Sequence, residues 1–106
     1  MYVYRWQDGL DVGHVDAEGV WYSDSYPGEP RDAMRRVRDL NRADRVAGRV
    51  TGVTELVIES NDDGFWTLGW YFPDGRWHPI FDVLTHEEGK PWLRWLAGED
   101  VPEPST

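Results

Sequence analysis

The stretch from Phe65 to Leu84 constrains this chain most. It holds Trp66, Trp70 and Trp77, three of the seven tryptophans, around a central Pro73-Asp74-Gly75. Aromatic and β-branched residues favour strands, and Pro-Asp-Gly is turn chemistry, so the stretch reads as a β-hairpin. Two registers compete. A two-residue loop at Asp74-Gly75 pairs Phe72 with Trp77, Trp70 with Pro79, Leu68 with Phe81 and Trp66 with Val83. A three-residue turn with Gly75 as a bulge pairs Phe72 with Arg76 instead. A slip of one residue exchanges the faces of a strand. Turn chemistry favours the bulge, and apolar patterning favours the tighter loop.

Either register leaves aromatics on both faces, so the hairpin needs two covers. Burying one tryptophan removes roughly 150–250 Å² from water. That is on the order of 4–6 kcal/mol gross at about 25 cal/mol/Å². Most of the seven are therefore expected in the core, with one or two left for a partner, since tryptophan is enriched at binding hot spots.

Upstream, Val53 to Ser60 reads as a strand with Leu56 and Ile58 on one face, and Asn61-Asp62-Asp63-Gly64 turns it into the hairpin. Strands at 53–60, 65–72 and 76–84 form an antiparallel meander. Residues 2–7 alternate with Tyr2, Tyr4 and Trp6 on one face. Asp8-Gly9 is a turn, followed by short strands at Leu10–Val15 and Val20–Tyr22. Between these blocks Pro30 opens a helix reaching about Ala47, with Gly48 as its stop. Its apolar stripe is Ala33, Val37, Leu40, Ala43 and Ala47, flanked by Met34. After Leu84, Thr85-His86-Glu87-Glu88 matches a capping box. Gly89 and Pro91 oppose a helix begun there, so a turn at 85–89 and a helix from Lys90 to Ala97 are expected, with Trp92, Trp95 and Leu96 on one face.

These elements predict an α+β fold: an antiparallel sheet of five to six strands (N-terminal strands, one long helix, then the meander) with a short C-terminal helix. Residues 1–98 make one domain, and 99–106 are expected as a disordered acidic tail. No repeat or interdomain linker is evident.

The 106 residues contain no cysteine, which excludes disulfides and thiolate chemistry. The N-terminus lacks a signal-peptide layout, and no apolar run approaches a membrane span, so cytoplasmic residence is expected. Lys90 is the one lysine beside ten arginines, a skew expected of a GC-rich genome. The net charge of −9 is unevenly spread. Residues 29–49 carry seven arginines against four acids, and the remainder carries four basic against sixteen acidic residues. An acidic body repels nucleic-acid backbones and attracts basic proteins. On the helix, Arg35, Arg38, Arg42, Arg45 and Arg49 read as a solvated face paired with nearby acids. The sharper alternative is a basic docking surface, for phosphates or an acidic partner.

Catalytic signatures are absent. His78, Asp82, His86 and Glu88 are the best enzyme case, since two imidazoles and a carboxylate can hold a metal. His78 and Asp82 are expected to share a strand face, with His86 just beyond, but their spacing matches no metal motif. The carboxylate pairs Asp62 with Asp63 and Asp16 with Glu18 sit in turns. No catalytic, metal-binding or cofactor residue is assigned. The expected function is a small acidic, non-enzymatic module that occupies a basic site on a partner protein. That is the character of phage- or mobile-element-encoded inhibitors and immunity-type proteins, an analogy of physical type alone. Its contact residues would be Asp11, Asp16, Glu18, Trp21, Tyr71 and Trp77. The alternative is a sugar-like ligand held by tryptophan and acidic side chains. Excess apolar surface also allows a homodimer.

Overall fold

A computed structural model describes residues 1–104. The fold is α+β. Strands β1 (Val3–Trp6), β2 (Leu10–Val15) and β3 (Trp21–Ser25) are followed by helix α1 (Pro30–Ala47). Strands β4 (Val57–Ser60), β5 (Trp66–Tyr71) and β6 (Trp77–Val83) are followed by helix α2 (His86–Leu96). The six strands form two antiparallel sheets, β1-β2-β3 and β4-β5-β6, where the sequence suggested one. Helix α1 packs on β1 and β2, α2 packs on all three strands of the second sheet, and the helices touch each other.

The hairpin satisfies both competing registers, each over half its length. Near the turn, Phe72 N–H donates to the Arg76 carbonyl at 2.9 Å, and Tyr71, Trp70 and Gly69 pair with Trp77, His78 and Pro79. Beyond a bulge at Ile80, Leu68 pairs with Phe81 and Trp66 with Val83. The turn chemistry wins at the turn and the apolar pattern wins further out. One extra residue reconciles them.

The two halves follow one plan, which the sequence reading missed. Gly13, Gly19 and Trp21 recur at a constant offset as Gly69, Gly75 and Trp77. Every register pair of the β2–β3 hairpin has its counterpart: Val15–Trp21 and Tyr71–Trp77, His14–Tyr22 and Trp70–His78, Val12–Ser25 and Leu68–Phe81. Both hairpins carry a bulge at the same place. The turns match too, with Gly19 N–H on the Asp16 carbonyl and Gly75 N–H on that of Phe72. Helix α2 begins at the same offset from α1. Each central glycine leaves room for its tryptophan. A Cβ on Gly69 would lie 2.6 Å from the Trp77 ring and 2.4 Å from the His78 carbonyl, and one on Gly13 would lie 2.2 Å from that of Tyr22. The shared signature is only Gly-x5-Gly-x-Trp, because intervening positions exchange polar for apolar residues between halves.

Three further expectations are corrected. Residues 53–56 are not strand: Val53 N–H bonds the Val15 carbonyl at 3.0 Å, and the Thr54 carbonyl accepts from the Met1 ammonium. The first sheet and the N-terminus thus hold this segment. The buried stripe of α1 is Ala33, Val37, Asn41 and Asp44, while Ala43 and Ala47 are exposed. Asn41 earns its buried place by bonding Tyr2 N–H, the Tyr2 carbonyl and the Leu96 carbonyl at 2.7–3.0 Å. Helix α2 starts at His86 rather than Lys90. Thr85 accepts from Glu88 N–H, and the Glu88 carboxylate accepts from Leu84 N–H. Gly89 is buried there because a Cβ would meet Ile58 at 2.9 Å, and Pro91 forgoes one helical bond.

The core gathers Val3, Tyr4, Val12, Val15, Leu68, Trp70 and Leu96 between the layers. Trp70 joins the sheets: its ring stacks on Trp21 at 5.7 Å, and its Nε1 donates to the Tyr4 carbonyl at 2.9 Å. Trp92 and Trp95 are also buried, whereas Trp6 is 60% exposed. From Glu99 to Pro104 the chain runs beside α1, with Val101 against the core and ion pairs Arg42–Asp100 and Arg35–Glu103. Ser105 and Thr106, the end of the expected tail, lie outside the described residues. No described helix is long and apolar enough to cross a membrane.

Candidate functional site: the open face of the second sheet

Side chains alternate across a sheet, so the register assigns each residue of β4-β5-β6 to a face. Ile58, Trp66, Leu68, Trp70, His78, Phe81 and Val83 point inward. There Phe81 meets Trp92 and Trp66 meets His86, both residues of α2. The other face carries Val57, Glu59, Thr67, Gly69, Tyr71, Trp77, Pro79 and Asp82. No helix of the fold covers it. Of its residues only Thr67 and Gly69 are buried, Gly69 beneath the Trp77 ring.

The open face is preorganised. Tyr71 and Trp77 lie 4.8 Å apart, ring centroid to centroid. The Tyr71 hydroxyl donates to Glu59 at 3.0 Å, and this bond raises its pKa above the usual phenol value. Asn61 donates to Thr67 Oγ1, and Thr67 donates to Asp82 at 2.7 Å. Beside Tyr71 a groove of about 390 Å³ is lined by Val53, Glu55, Val57, Phe72 and Pro73. No Lys or Arg belongs to this face. Arg76, the nearest in sequence, lies over the Phe72 ring at 4.3 Å and pairs with Asp74.

Of the expected contact residues, Tyr71 and Trp77 come together here. Asp11 is instead buried within the first sheet. It is 5% exposed, paired with Arg5 at 3.6 Å and accepting from Ser23 at 2.8 Å. Its β-strand register, not its charge, decides this. Trp21 is half-buried between Gly13 and Trp70. Asp16 organises its own turn: it accepts from the Val20 and Glu18 amides and the Tyr22 hydroxyl, and the Val20 bond chiefly holds its pKa low. Glu18 is exposed at the tip of that turn. Glu59 and Asp82, the acids of the open face, were not among the expected contact residues. The strand register was the signal needed to find Glu59.

The arginines of α1 are largely engaged within the chain. Arg36 forks onto Asp24 at 2.8 and 3.0 Å, and this bond holds the Asp24 pKa low. Arg38 reaches the carbonyls of Trp95 and Glu99 and lies over the Trp95 ring. Arg35 and Arg42 pair with the C-terminal acids, and Arg49, just beyond the helix, with Asp44. Arg45 has no ion-pair partner among the described residues and lines a cleft with Asp44 and Glu55.

The histidines diverge. The Ile80 bulge sends His78 inward onto Trp70 and Asp82 outward onto Thr67, so they do not share a face. His86 packs on Trp66, and Glu88 caps α2. Among the described residues, no three His, Asp or Glu side chains gather as metal ligands. In comparisons with family models, curated proteins and solved structures, no match to this chain is found.

Proposed function

We propose that this is a non-enzymatic module that binds a basic surface of another protein through the open face of its second sheet. One observation carries the reading: a sheet face left without cover joins Tyr71 and Trp77 to Glu59 and Asp82 and holds no cation. Apolar rings supply contact area, and the carboxylates select a cationic partner. The net charge of −9 adds long-range attraction for such a partner. Blocking a basic site in this way suits an inhibitor or immunity-type protein. The phosphate-docking alternative on α1 loses support from the engagement of Arg35, Arg36, Arg38 and Arg42 within the chain.

The test begins with a partner protein captured from nuclease-treated extract and then purified. Glu59→Lys should weaken its binding about tenfold or more, since a like charge is placed opposite its basic surface. Arg45→Glu on α1 should leave it within about twofold. Binding of the wild type should also weaken as salt rises from about 0.05 to 0.5 M. Affinity indifferent to Glu59→Lys and to salt would remove the reading.

A further inference from the structure

The two halves treat their equivalent tryptophans differently. In the first, the Arg5 guanidinium sits 4.4 Å over the ring of Trp21. Arg5 also pairs with Asp11, its register partner across β1 and β2. The two side chains are only 16% and 6% exposed. The first half therefore contains a built guanidinium site: an indole face, a carboxylate and little water.

In the second half, Trp77 lies over Gly69 as Trp21 lies over Gly13. Val57 pairs with Gly69 as Val3 pairs with Gly13, which makes Glu59 the counterpart of Arg5 and Thr67 that of Asp11. The position that supplies a guanidinium in one half thus supplies a carboxylate in the other. Asp82, bonded to Thr67, adds a second carboxylate on the same face. Among the described residues, the three guanidinium–ring contacts are on Trp21, Trp95 and Phe72, and none is on Trp77.

We infer that Trp77, with Glu59 and Asp82, receives an arginine side chain of the partner protein, as Trp21 receives Arg5 within the chain. The inference rests on the basic-partner reading above and names the group that the open face selects. A guanidinium is planar and weakly hydrated, so it stacks on indole while its N–H groups reach a carboxylate. A lysine ammonium holds its water and lacks the fork. The Tyr71 hydroxyl holds Glu59 in place for that contact.

The experiment titrates ¹⁵N-labelled full chain with amidated hexa-arginine and, separately, hexa-lysine at the same ionic strength. Hexa-arginine should bind about threefold to fivefold more tightly and shift the Trp77 indole N–H. Glu59→Gln, an exposed and near-isosteric change, should shrink that preference. Equal affinity for the two peptides with an unmoved Trp77 indole overturns the arginine site and leaves the basic-partner reading standing. Failure of both peptides to bind overturns the two together.

Discussion

Asn41 shows how one polar side chain can take an apolar position. It sits on the inward stripe of α1 and is 4% exposed. Its amide ties Tyr2, just before β1, and Leu96 of α2 to α1 by three bonds to backbone groups. Removing it leaves the buried Leu96 carbonyl without this partner, at about 1–3 kcal/mol, and loses two part-buried bonds to Tyr2 worth less. Asn41→Ala should therefore lower stability by about 2–4 kcal/mol in urea unfolding. Asn41→Asp should cost more at pH 7, because a carboxylate oxygen would then face the Tyr2 and Leu96 carbonyls. An Asp variant as stable as wild type would show that the amide protons do not matter. The helical spacing in the sequence singled out Leu40 and Ala43 for this stripe. It could not register Asn41, because its partners are 39 and 55 residues away.

At the scale of elements, the hairpins depend on two glycines whose missing Cβ lets the strands approach. At Gly13 and Gly69 a Cβ would strike a backbone carbonyl, at 2.2 and 2.4 Å, as well as a tryptophan ring. A carbonyl in a sheet cannot swing aside as a flexible side chain can. Gly13→Ala and Gly69→Ala should each cost about 3 kcal/mol, the upper range for overpacking. Gly28→Ala, where nothing lies within 4 Å, should change stability by less than about 0.5 kcal/mol. Chemical denaturation of the three variants checks this, and equal effects at Gly69 and Gly28 would refute the packing account. Much of the element order was legible in the sequence. Pro30 and Gly48 bracket α1 because both act locally, the second through a left-handed backbone at φ 67. The start of α2 was misread because Gly89 and Pro91 disfavour a helix locally. The close approach of Ile58, which makes glycine fit there, is a tertiary contact.

For the molecule as a whole, the two sheets meet around Trp70 and His78. The imidazole stacks on Trp70 at 4.6 Å and meets the Phe72 ring edge-on at 4.9 Å. Burial lowers its pKa below the usual 6.5, and Arg5 from the first sheet and Arg76 beside it act the same way, against a smaller opposing pull from Asp74. The sign follows. Well above pH 6.5 the ring is neutral both folded and unfolded, and its contribution is complete. As pH falls below that value the unfolded chain takes the proton first, and stability is lost until the lower folded pKa is reached. Urea unfolding between pH 7 and 5 should show this slope in wild type and a smaller one in His78→Gln. Parallel slopes would show that His78 does not report on the junction.

By itself the sequence determined the α+β class, the long helix, the turns between strands and the aromatic hairpin, because propensity, capping and turn chemistry act over a few residues. Tertiary structure decided what depends on distant partners. It divided the strands into two sheets, split the hairpin register at Ile80, buried Asp11 against Arg5 and bound the arginines of α1 to the C-terminal segment. It also decided which sheet face stays open. Both faces of the second sheet are aromatic, and only the packing of α2 and Trp70 on one of them leaves Tyr71, Trp77, Glu59 and Asp82 together on the other.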